Sequence, residues 1–161
     1  MITAWDRELA ALLDELSAVQ DDSLEALLRK CRLLGEADTE GLAALGREEE
    51  RLIARLGECL RRREELLARA AAEGMPAENL GALARALPAG RGGDLPQQVE
   101  IARAKARLLQ HQSLTNWVIA QRSIIHLSQT LEILATGGRL QPTYGKDGLA
   151  ATSGALVDQA G

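Results

Sequence analysis

The chain has 161 residues, enough for one domain with a modest core, and a formal net charge of −4 that argues against a phosphate-binding, nucleic-acid role. With no Phe and only Trp5, Trp117 and Tyr144 as aromatics, that core must be aliphatic. The abundance of Leu, Ala, Glu and Arg with only four prolines marks long helices and excludes a sheet protein. The first element is expected over residues 4–34. Thr3 and Asp6 form a capping-box pair, and the apolar seam reads Trp5, Leu9, Leu12, Leu16, Val19, then Leu24, Leu27, Cys31 and Leu34. The three–four alternation slips by one residue at Asp21–Asp22, which bends a helix or alters its supercoil without ending it. Gly35 is placed as its C-terminal cap.

A second helix is expected over residues 39–73, capped by Asp38 or Thr39 and ended by Gly74. Its seam is Leu42, Leu45, Leu52, Leu56, Cys59 or Leu60, Leu66 and Ala70. The signs of charge interleave between Glu48 and Glu65, as on a solvated face. At about 1.5 Å per residue this helix is on the order of 50 Å long. Pro76 can open a short helix over residues 76–87 that Pro88 closes, and a Gly-rich loop follows. Asp94 and Gln97 then offer another capping box before a helix over residues 94–135. Its seam runs Leu95, Val99, Ala102, Ala106, Leu109, Ser113, Trp117, Ala120, Ile124, Leu127, Leu131 and Leu134, with one four–four step around Ser113. The expected fold is all-α: an elongated, coiled-coil-like antiparallel bundle of three long helices plus one short helix over residues 1–135, with a flexible tail over 136–161.

Beside the last seam lie further apolar residues. Leu114, Val118 and Ile125 share a helical face offset from it. Either this stripe packs under the short helix or against the first helix, or it is a groove wall for an amphipathic partner helix. The tail has too few apolar residues to offset its ordering entropy alone, so it is either an inert terminus or a segment that orders on a partner, with Leu140 and Tyr144 as anchors.

Signals for chemistry are weak. Cys31 and Cys59 lack metal-ligand spacing and read as reduced thiols. His126, in His126–Leu127–Ser128–Gln129–Thr130, lacks a carboxylate or lysine at the near positions that would orient a phospho-accepting imidazole. Gly41–Gly46 lacks the Lys and Ser/Thr of a phosphate loop, and the Gly90–Gly93 run follows no strand. The reading is a non-enzyme with no cofactor and no metal. The start carries no apolar signal-peptide core, and no run spans a bilayer, so a cytoplasmic protein without membrane insertion is expected.

Three features together resemble the FlgN family of flagellar export chaperones. These are the three long Leu-seamed helices with a Glu/Arg-rich second one, the stretch Gln112–Ser113–Leu114–Thr115–Asn116–Trp117–Val118–Ile119, and Tyr144–Gly145–Lys146–Asp147–Gly148 after the helix. The chain departs from many relatives at Trp117. The resemblance implies a substrate-specific chaperone of the flagellar type III export system that holds hook–filament junction proteins of the FlgK and FlgL type, using no ATP of its own. It also implies that the C-terminal portion binds the partner, which makes Leu114, Asn116, Val118, Ile125, Leu140 and Tyr144 the candidate contacts. Export-gate or ATPase-complex components are further partners this reading admits, as is a homodimer. The competing readings are a structural coiled-coil adaptor acting through the charged face of the second helix, and a phosphotransfer protein using His126.

Overall fold

A computed structural model describes residues 4–87 and 94–136. Among these residues there are four helices and no strand: α1 (Ala4–Glu36), α2 (Thr39–Ala72), α3 (Leu80–Ala86) and α4 (Leu95–Thr136). The expected Thr3 cap and the Gly90–Gly93 loop lie outside the described residues. The chain separates into a unit over 1–121 and a second over 122–161, of which the described part is the end of α4.

In the first unit α1 and α2 form an antiparallel pair. Their ion pairs fix the direction, since residue numbers rise on one helix as they fall on the other: Glu8 with Arg69, Glu15 and Asp22 with Arg55, Lys30 with Glu49. These pairs are exposed or half-exposed, so solvent screens them and they serve mainly to set register. Burial supplies the driving force. Leu9, Leu12, Leu13 and Val19 of α1 meet Cys59, Leu66 and Ala70 of α2, and Leu80, Leu83 and Ala84 of α3 close the cluster with Leu95 and Val99 of α4. A smaller cluster of Ala26, Leu45 and Leu52 lies toward the α1–α2 turn, with Leu33 against it. The ambiguity in the second seam resolves to Cys59, which is buried, whereas Leu60 is exposed.

Two boundaries differ from the sequence reading. Gly35 does not stop α1; it sits inside the last turn, and the left-handed residue is Ala37, with φ 55°. The Ala37 amide donates to the Leu34 carbonyl and the Asp38 amide to the Leu33 carbonyl at 3.0 Å, a Schellman closure. Asp38 begins α2 immediately, its side chain accepting from the Gly41 amide at 2.8 Å, so closure falls where that cap requires it rather than at the nearest glycine. A Cβ on Gly41 would come within 2.5 Å of Asp38 Oδ2, so this cap needs glycine there. The short helix starts at Leu80, not Pro76. Asn79 adopts extended backbone and its side chain accepts from the Ala82 amide at 2.9 Å, while the Met75 amide is still bonded to the Ala70 carbonyl as part of the α2 closure. A strong asparagine N-cap outranks a proline that belongs to the preceding turn.

The strain at Ala37 gives a direct expectation. A left-handed alanine costs about 1 kcal/mol relative to glycine. Ala37→Gly should therefore raise stability by about that amount, read as a higher urea midpoint at unchanged slope. An unchanged or lowered midpoint would show that the turn is not under strain.

Candidate partner-binding surface

Within the first unit α4 runs in the same direction as α1 and is held to it mainly by polar contacts. Gln20 Nε2 donates to the Ala102 carbonyl at 3.0 Å, and Lys105 Nζ bonds Ser17 Oγ at 2.8 Å and Asp21 Oδ2 at 2.7 Å. Further along, Asn116 Nδ2 donates to the Leu27 carbonyl at 2.8 Å, and Asn116 Oδ1 accepts from Gln112 Nε2 at 3.3 Å. Of the expected α4 seam, Leu95, Val99 and Ala102 are buried as read, whereas Leu109 is half-buried and Ala106 is exposed. From Ser113 onward the seam is different. The residue facing α1 is Asn116, only 4 % exposed, whereas Trp117, one position on, is 59 % exposed.

That one-residue shift changes what α4 presents. Leu114 and Val118 of the expected flanking stripe are exposed, and so is Trp117, which the periodicity placed in the core. In the second unit Ile124, Ile125, Leu127, Leu131, Ile133 and Leu134 are all exposed, with Leu134 at 72 %. Neither the first alternative for the stripe, cover by α3 or α1, nor the core role of Trp117, Ile124, Leu127, Leu131 and Leu134 survives. The apolar residues lie on more than one face of the helix, and charge is sparse: Arg122, His126 and Glu132 are the only acidic or basic residues from Arg122 to Thr136. A helical surface of this kind is a liability unless something covers it.

Four of the six candidate contacts lie among the described residues. Leu114, Val118 and Ile125 belong to the exposed surface. Asn116 does not; it is turned inward and fixes α4 on α1. Leu140 and Tyr144 lie outside the described residues. The sequence reading missed Trp117, Ile124, Leu127, Leu131, Ile133 and Leu134 as surface, and the signal that could have found them is the polar line Gln112, Asn116, Ser123 at helical spacing.

Part of the charged face of α2 is engaged within the chain. Arg61 sits between Glu58 and Glu65, and its guanidinium is held charged by the hydrogen bond to Glu58, which in turn lowers the Glu58 carboxyl below its usual range. At the other end of the pair, Trp5 Nε1 donates to Glu73 Oε2 at 3.1 Å, and Arg69 lies 4.9 Å over the indole ring. Burial, and then Glu15, pushes the Cys59 thiol up, so Cys59 acts as neutral apolar lining. Among the described residues no three His, Cys, Asp or Glu side chains are grouped to hold a metal ion, and no helix is long and apolar enough to cross a membrane.

In a comparison against known families, the family described as FlgN protein matches residues 1–152. The chain belongs to the FlgN family. It is thus a flagellar export chaperone, and the match extends through the segment that contains Tyr144. No curated protein and no solved structure matches the chain.

Proposed function

We propose that this FlgN-family chaperone acts in the cytoplasm and masks the C-terminal helical segment of hook–filament junction proteins, of the FlgK and FlgL type, before secretion. The observation that carries the reading is the inversion in α4, where Gln112 and Asn116 turn inward while Leu114, Trp117, Val118, Ile124 and Ile125 face out. A junction subunit carries amphipathic terminal helices that self-assemble when free, and an aliphatic helix surface with little charge is the complement such a helix requires. Leu140 and Tyr144 complete the contact by ordering on the cargo, which holds affinity to a level that permits release at the export gate.

Isothermal titration of the full chain with the C-terminal segment of a junction protein tests this. The expected result is a soluble complex with a negative heat-capacity change from buried apolar surface, and a large loss of affinity when residues 136–161 are removed. Absence of binding, together with intact junction-protein secretion in a strain lacking the chain, would overturn it. Binding that is insensitive to the truncation would favour an adaptor working through the charged face of α2.

A further inference from the structure

Away from the apolar end of α4, the first unit contains a groove that the cargo reading does not use. It is made of two adjoining clefts along α1, α2 and the first part of α4. One, of about 470 Å³, is lined by Leu13, Leu16, Leu80, Val99 and Ala106 among others; the second, of about 460 Å³, by Ala26, Leu27, Leu52 and Ile53. Leu56 and Leu109 line both, so the two adjoin end to end at these leucines. On α2 the lining runs from Glu49 to Arg63, about 20 Å of helix at 1.5 Å per residue, the length of four helical turns.

The groove has polarity along its length. At one end stand Arg63 on α2 and Arg103 on α4. Arg103 bonds Glu100 on its own helix at 2.6 Å, and Arg63 makes no ion pair with any described residue. At the other end Lys30 and Glu49 neutralise each other at 2.9 Å. Those four are the charged side chains that line it, so one end is positive and the other neutral. Between the ends, on α1, Gln20 Oε1 and Ser23 Oγ are buried without a hydrogen-bond partner, and both residues line the groove. An acceptor left unmet in this way is satisfied when a partner supplies a donor.

We propose that this groove docks a four-turn amphipathic helix of a partner protein, whose apolar stripe carries a side-chain amide near its middle and a carboxylate at the end beside Arg63 and Arg103. Leucines of the stripe fill the two clefts, the amide N–H meets Gln20 or Ser23, and the carboxylate accepts from the two guanidiniums. Such a helix would stand as the fourth member of the α1–α2–α4 bundle. The residues that line this groove include none of the exposed apolar residues of α4 from Leu114 to Leu134.

The test uses a fluorescein-labelled 16-residue helical peptide with a leucine stripe, a central asparagine and two glutamates at one end, and a matched peptide with lysines for the glutamates. Anisotropy with the full chain should show the glutamate peptide binding at least 10-fold more tightly than the lysine peptide. Arg63→Glu, or Arg63→Glu with Arg103→Glu, should reverse that order while helix content by circular dichroism stays unchanged. Methyl spectra should shift at Leu16, Leu56 and Leu109. Equal binding of both peptides, no binding, or shifts confined to residues 114–134 would overturn the proposal. Each of these results leaves the junction-protein titration free to succeed or fail by itself.

Discussion

Replacing Ile124 and Ile125 together by glutamate should weaken capture of the junction-protein segment at least 100-fold while leaving the fold intact. Both side chains are more than half exposed in the free chain, so neither contributes to the core whose loss would unfold it. Glutamate has good helix propensity, and surface substitutions of this kind change stability by no more than about 0.5 kcal/mol each. In the complex the same positions must leave water. Each isoleucine then contributes about 1–2 kcal/mol of burial, and each glutamate instead brings a carboxylate that must be desolvated or must hold the partner away. A combined loss of about 3 kcal/mol is already more than 100-fold in affinity. Titration calorimetry reads the affinity, and thermal denaturation reads the fold. Trp117 adds a spectroscopic check: exposed in the free chain, its emission should move to the blue when cargo covers α4. If the double variant binds as the parent does, the apolar end of α4 is not where cargo sits.

The periodicity that made the helices legible is also what misplaced the end of α4. Leu9, Leu12, Val19, Leu52, Leu66, Ala70, Leu95, Val99 and Ala102 are buried where an apolar stripe would put them, because along those stretches the largest aliphatic residues do face a neighbouring helix. Past Ser113 the rule that apolar means inward fails. Asn116 gains a hydrogen bond to the Leu27 carbonyl, and Gln20 one to Ala102, and main-chain acceptors on a neighbouring helix leave no trace in a hydrophobic repeat. A helix built to be covered by a second protein carries its apolar residues for that protein, so sequence alone reads them as core. The same limit applies at Ala37. A glycine two residues earlier is the stronger local signal, but the register of the turn is set by where Asp38 must cap α2. The Tyr144–Gly145 element was legible as a short sequence motif, and the family match spans it.

A second expected result separates the residues that hold the chain together from those that bind. Leu66→Ala and Leu134→Ala remove the same atoms from two helices of the same chain. Leu66 is 2 % exposed and belongs to the cluster with Leu9 and Leu12, so its truncation loses transfer energy and leaves a cavity, about 3 kcal/mol in all. For a chain of this size that corresponds to a fall of about 10 °C in Tm. Leu134, at 72 % exposure, has little to lose on folding, and its truncation should move Tm by no more than about 1–2 °C. Cargo affinity should show the opposite order, with Leu134→Ala weakened and Leu66→Ala unchanged per folded molecule at a temperature where both are folded. The crossing of the two effects is the informative outcome. If Leu134→Ala instead lowers Tm by several degrees, the end of α4 is packed in the free chain, against its own tail or a second copy. The aliphatic surface from Ile124 to Leu134 would then be protein core rather than a place for cargo.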